Sequence, residues 1–252
     1  MSRAQAIRAG GIAGFLLLWE GLPRLGGISS IIVAPPTAIL EAIRADGGVF
    51  LQGLQVTVAE IAAAILVAWS LGVGAGVAAG SLSRLGAVVG PLFSSLLAIP
   101  LVILYPLFIA WVGMGSASKI LFGIASGFFP IALNTMSGVR TLDPRFTLMA
   151  RGMGATTGQI FFKVLLPLAL PAIISGLRVG TSLIIIGVVV TEMLASLGGV
   201  GFLISYNRTI FNTGHVYLGM LLVLFAALLV NWGLSYLEQR FGQWRILEQT
   251  QA

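Results

Sequence analysis

The sequence contains no cysteine and a single histidine, His215. Those two scarcities exclude disulfides, thiolate metal sites and a cysteine nucleophile. They also exclude a His-based metal site or catalytic triad supplied by this chain alone. Charge is scarce as well: 9% of the 252 residues, against roughly 25% in a soluble domain. Such a chain cannot clothe a water-facing surface, so its solvent is largely lipid. No G-x-x-x-x-G-K-[ST] stretch occurs, so the chain brings no phosphate loop for ATP. No cluster of His, Asp and Glu exists to serve a membrane enzyme.

What is present is apolar: 58% hydrophobic residues and a mean hydropathy of +1.03. In lipid each span must satisfy its own backbone, which leaves helices or a closed barrel. The apolar runs are continuous rather than alternating, so helices are predicted. Six runs qualify. They are Ala9 to Trp19, Ile61 to Ser83, Leu85 to Ser118, Ile120 to Val139, Leu168 to Val190, and Thr209 to Leu237. The first is short of the roughly 20 residues a bilayer needs and is read as a retained span rather than a cleaved leader. The third is long, and Pro91, Pro100 and Pro106 predict a sharp bend or re-entry within it. Residues 23–53 form a segment with a Pro-Pro start and a short amphipathic helix from Thr37 to Ala45. That helix ends at Asp46-Gly47-Gly48 and is suited to the membrane surface.

Six spans put both termini on one side, and the cations select which. With the N-terminus inside, the inner segments hold Arg3, Arg8, Arg84, Arg140, Arg145, Arg151, Lys163, Arg178, Arg240 and Arg245. The outer segments hold only Arg24, Arg44, Lys119 and Arg208. Ten against four places both ends in the cytoplasm. The net charge of +6 is thus read as orientation and attraction to anionic headgroups, not as nucleic-acid binding.

The pattern breaks once, in the inner loop "RGMGATTGQIFFKVLLPLALPAII" (151–174). Asp143 is placed to N-cap a short helix, with Pro144 at its first position. Gly154 sits where a C-terminal glycine ends such a helix. Thr156 caps a second, and Gln159 completes a capping box. Pro167 and Pro171 begin the fifth span. The result is a stiff, basic, exposed elbow, fit either to dock into a groove on a soluble partner or simply to lie at the membrane surface.

Spacing takes the elbow further. After Gly154 come nine residues, then Val164-Leu165-Leu166-Pro167. This resembles the cytoplasmic signature loop of binding-protein-dependent ABC importer permeases: Glu-Ala-Ala, three residues, Gly, nine residues, an aliphatic, one residue, Leu-Pro. Ala150 matches the second alanine, while Leu148 and Met149 replace the glutamate and first alanine. "AIPLVILYPLFIAWVGMGSASKI", "FFPIALNTMSGVRTLDP", "LPLALPAIISGLRVG", "VTEMLASLGGVGFLI" and "LEQRFGQWR" look like the nitrate/sulfonate/taurine (and bicarbonate) branch. The match runs from about Trp19 to Arg245. Glu60 departs from it, where the branch often carries a basic residue.

The resemblance implies an all-α integral membrane protein with the type I ABC importer permease fold. It implies six transmembrane helices and a coupling elbow between the fourth and fifth, in a bacterial cytoplasmic (inner) membrane. Residues 1–52 are then the first helix and a periplasmic segment, 53–237 the type-1 transmembrane domain, and 238–252 a cytoplasmic tail. The implied partners are two ABC ATPase subunits carrying ATP and Mg, a second permease copy, a periplasmic binding protein and lipids. No cofactor belongs to this chain. ATPase coupling falls to Arg145, Leu148, Met149, Ala150, Arg151, Gly152, Gly154, Ala155 and Pro167.

The residues themselves single out four candidates for the pathway or gate. Glu192 with Met193 is the first pair, since an acid inside the membrane is costly. The other reading of Glu192 is a hydrogen-bonded packing group beside Gly198 and Gly199. Asn134 and Thr135 form the second pair, on span four, facing the pathway or bonding across helices. An ion-coupled secondary transporter is the competing class. It calls for internal repeats and several buried ionisable groups, where Glu60 and Glu192 are the only candidates. The expected solute is small and anionic, of sulfonate, taurine or nitrate type, although neutral or aromatic compounds also occur in the branch.

Overall fold

The apolar runs become helices, the third of them two, in the computed structural model, which describes residues 3–242. The helices are α1 (Arg3–Arg24), α2 (Pro36–Ser81), α3 (Ser83–Leu97), α4 (Tyr105–Val112), α5 (Ser116–Arg140), α6 (Pro144–Gly152), α7 (Thr157–Ile160), α8 (Leu166–Leu194), α9 (Val200–Thr209) and α10 (Thr213–Gly242). A π turn, Phe161–Leu165, joins α7 to α8, and a 3-10 turn, Leu101–Leu104, precedes α4. Residues 243–252 of the expected tail lie outside the described residues.

Among the described residues, four helices are long and apolar enough to cross a membrane: Pro36–Ser81, Ser116–Arg140, Thr157–Leu194 and Thr213–Tyr236. Ser83–Leu97 with Leu101–Val112 forms a pair bent by 84°, which is either a broken fifth span or a re-entrant loop. The predicted bend is therefore present, and it falls at Pro100. A proline disfavours helical geometry in the residue before it. Pro91 stays inside α3, and Pro106 occupies the first turn of α4, where a missing N–H costs nothing. The first run, α1, is not among these spans, so the expected count of six is not reached among the described residues. It has 22 residues, about 33 Å at 1.5 Å per residue, but Arg8, Glu20 and its glycines dilute its apolar character.

One boundary differs from the sequence expectation. The helix predicted to stop at Asp46-Gly47-Gly48 does not stop: α2 runs 46 residues with only a kink at Asp46 (φ −128°, ψ 17°). Phe50, one turn on, is buried at 2% exposure against Ile39, Ala42 and Leu218. Burying that ring requires the helix to continue, and packing overrides the weak helix propensity of two glycines.

The chain forms two compact units, Met1–Val58 with Glu192–Phe225, and Ala59–Thr191 with Ala226–Ala252. In the first, the Trp19 indole N–H donates to the Ala34 carbonyl (3.0 Å), and Glu20 accepts from the Thr37 N–H (3.1 Å) and hydroxyl (2.8 Å). These contacts tie α1 to the start of α2. His215, which the sequence places at the start of the last span, lies 2.8 Å from Asp46 at the kink.

In the second unit the core is Ile61, Ala64, Ala68, Ile131, Ile184 and Val188. Glycines set how closely these helices pack, as small residues do in membranes. A Cβ on Gly76 of α2 would lie 2.5 Å from the Thr135 Cβ and 2.6 Å from the Ala132 carbonyl oxygen of α5. Backbone cannot yield as a side chain does, so Gly76→Ala should force the helices apart at a cost of about 1–3 kcal/mol. Gly74, with nothing within 4 Å, is the control. Thermal unfolding in detergent should show a lowered midpoint for Gly76→Ala and an unchanged one for Gly74→Ala.

Candidate functional site

The elbow is built by local chemistry alone. Asp143 has an extended backbone and its carboxylate accepts the Arg145 N–H at 2.8 Å, opening α6 with Pro144 in its first turn. At the other end Gly154 has φ +80°. The Ala155 N–H reaches back to the Ala150 carbonyl (3.0 Å) and the Gly154 N–H to that of Arg151 (2.9 Å). That pair of bonds is a Schellman motif, which satisfies the last carbonyls of a helix. Thr156 then opens α7: its hydroxyl accepts from the Gln159 N–H (3.3 Å), and the Gln159 side chain accepts from the Thr156 N–H (2.9 Å). Cap, hinge and capping box all stand where the sequence puts them.

The second arm differs from expectation. It is not a separate helix followed by a span, because α7 passes through the π turn into α8 as one rod of 38 residues, Thr157–Leu194. A π turn adds a residue to the helical repeat. It ends two residues before Pro167, whose ring would otherwise crowd the carbonyl four residues back. Thus α6 hinges at Gly154 on the end of a rod.

Arm α6 buries none of its residues. It presents Phe146 (47% exposed), Leu148 (72%) and Met149 (64%), followed by Met153 (87%). Arg145, Arg151 and Gly152 are exposed beside them, while Ala150 and Ala155 are half-buried in the crook. Asp143 is the only acid in the loop; it caps the helix and lies 3.9 Å from the Arg145 guanidinium. The elbow therefore offers apolar tips and exposed cations on a fixed backbone.

The four pathway candidates divide. Asn134 is half-buried, its amide donating to the Pro130 carbonyl at 2.8 Å. Thr135, one residue on, is fully buried against Gly76. Met193 is half-buried, and Glu192 is 1% exposed. The Glu192 carboxylate accepts from the Thr57 hydroxyl (2.8 Å) and the Gly201 N–H (2.8 Å), so it is a hydrogen-bonded group at the start of α9. Asn134 and Thr135 belong to one compact unit, Glu192 and Met193 to the other.

One pair is absent from the sequence expectations. Lys119, assigned there to an outer loop, is 2% exposed and forms an ion pair with Glu60. It occupies the first turn of α5, where a cation opposes the helix dipole, and the Glu60 carboxylate on α2 offsets both that and its burial. The available signal is two lone, opposite charges set in apolar sequence.

A family model described as a binding-protein-dependent transport system inner membrane component matches residues 70–243. The chain belongs to that family. All the coupling and pathway candidates lie inside the matched range, whereas Thr57 and Glu60 precede it. The permease is 30% identical over 246 residues to the putative aliphatic sulfonates transport permease protein SsuC of Bacillus subtilis, covering 94% of this chain and 89% of that protein. It is 28% identical over 251 residues to the taurine transport system permease protein TauC of Escherichia coli, covering 97% and 91%. Among solved structures it resembles a chain of the MetNI methionine ABC transporter in an inward-facing conformation. The TM-score is 0.59 at 23% identity, over 75% of this chain and 97% of that one. The fold is that of a type I ABC importer permease, a multi-pass inner membrane protein. None of these similarities points to an ion-coupled secondary transporter.

Proposed function

We propose that two copies of this permease line the pathway of an ATP-driven importer for a small anionic solute of sulfonate, taurine or nitrate type. A periplasmic binding protein delivers the solute, and each elbow docks into one of two separate ATPase subunits that hold ATP and Mg. The observation that carries this reading is α6. A helix with no buried residue, apolar tips and a left-handed glycine hinge on a membrane-crossing rod is a part made to be gripped and moved. The absence of a phosphate loop from the sequence supports an ATPase on another chain. The cation count supports cytoplasmic termini and a cytoplasmic elbow. The similarity to the sulfonate permease SsuC and the taurine permease TauC supports the solute class. Half-buried Asn134 and Met193 are the candidates to face the pathway, while buried Thr135 and Glu192 are positioning groups.

Uptake tests the proposal. Vesicles holding the permease, its ATPase and its binding protein should accumulate labelled taurine, an alkanesulfonate or nitrate only with ATP inside. Uptake driven by an ion gradient without ATP, or no uptake of any sulfonate, taurine or nitrate, would refute it.

A further inference from the structure

Helix α9 begins without a side chain to cap it, because its N-cap is Gly199. Four N–H groups at a helix start lack partners within the helix. Two of these are satisfied from elsewhere in the chain: the Val200 N–H donates to the Thr57 hydroxyl (2.8 Å) and the Gly201 N–H to Glu192 (2.8 Å). Thr57 in turn donates to Glu192, so one hydroxyl from α2 and one carboxylate from α8 hold the start of α9 together. All three residues lie buried, Thr57 at 1%, Glu192 at 1% and Val200 at 0% exposure. Gly199 has φ +98°, and any Cβ there would overlap the Glu192 carboxylate. A negative group at a helix N-terminus is also favoured by the helix dipole.

The carboxylate sits at the far end of the rod that starts at the elbow. Thr157–Leu194 is one helical run of 38 residues. We propose that Glu192 is a positioning residue that locks α9 to α8 and α2, so that movement of the rod at the elbow carries α9 with it. This rests on the ATP-driven reading above. Helix α9, with Tyr206 exposed near its end and Ile210 and Phe211 exposed just beyond it, moves with nucleotide state and does so through the Thr57–Glu192 joint.

Because the chain has no cysteine, Tyr206→Cys places a single label on α9. Its rate of reaction with a membrane-impermeant maleimide is measured in the complex with the ATPase, nucleotide-free and trapped with ATP and vanadate. A coupling free energy of ordinary size predicts a difference of at least about fivefold between the two states. Thr57→Val keeps the shape and deletes the hydroxyl; it should cut the difference below about twofold while the ATPase still hydrolyses ATP. Thr57→Ser should restore it. Glu192→Gln should behave like Thr57→Val and replaces it should that variant fail to fold. The inference is overturned if Thr57→Val keeps the parent's nucleotide-dependent difference, including when only its thermal midpoint falls. It is also overturned if the ATPase turns over while the thiol at position 206 never responds. Absence of any ATPase from the complex is a separate result, and it sinks the underlying reading instead.

Discussion

Gly154→Val should leave the permease folded and inserted but cut transport and substrate-stimulated ATP hydrolysis together by at least about tenfold, within the range of ordinary coupling energies. At φ +80° a Cβ meets no atom within 4 Å, so the whole penalty is backbone strain. For a non-glycine residue that strain is about 1–2 kcal/mol, more for a β-branched one. The strain is small beside the packing of the bundle but large for α6. That arm buries no residue and is held by the Schellman bonds and by contacts with α7 and the π turn. Relieving the strain means swinging α6. Gly154→Asn is the control, since asparagine tolerates the left-handed region, and it should retain most of the transport. Arg151→Ala should do less, because one exposed charge contributes about 0–1 kcal/mol. Should Gly154→Val transport like the parent, the hinge is no part of coupling.

The second large effect is on stability. Lys119→Met leaves the Glu60 carboxylate buried with its ion-pair partner gone, and loss of one partner of such a pair costs about 3–5 kcal/mol. The side chains of both are 3% exposed, so water cannot take over. Replacing both, Glu60→Leu with Lys119→Met, removes the two desolvation penalties together. That double variant should recover to within about 1 kcal/mol of the parent or exceed it. Thermal unfolding of the two single variants and the double in detergent measures this directly. Additive losses in the double would show that the two charges do not act as a pair.

These two sites differ in how readable they are from sequence. The elbow is local: Asp143 acts on Arg145, Gly154 closes on Ala150 and Arg151, and Thr156 and Gln159 cap each other. Caps and glycine hinges need only neighbours in sequence, so residue types and spacing suffice to reveal them. The bend at Pro100 is legible for the same reason. The Glu60–Lys119 pair and the Thr57–Glu192 joint link residues far apart in sequence, and no periodicity of either stretch encodes the partner. By sequence Glu192 is a gate or a packing group; its donors, a distant hydroxyl and a backbone N–H, lie beyond the reach of any local pattern. The continuation of α2 past Gly47 and Gly48 is hidden likewise, since it follows from burial of Phe50 by distant Leu218.

The central claim is that the elbow is the contact with a separate ATPase, and one cross-link tests it. Met153 is 87% exposed at the tip of α6, and Met153→Cys gives a single reactive thiol in a chain that otherwise has none. In native membranes a short bifunctional reagent should join that thiol to an ATPase subunit, in a product holding both chains. The thiol should react with impermeant maleimide only from the cytoplasmic side. A thiol at position 153 that labels from outside, or that cross-links to no ATPase while the transporter is active, would contradict the account.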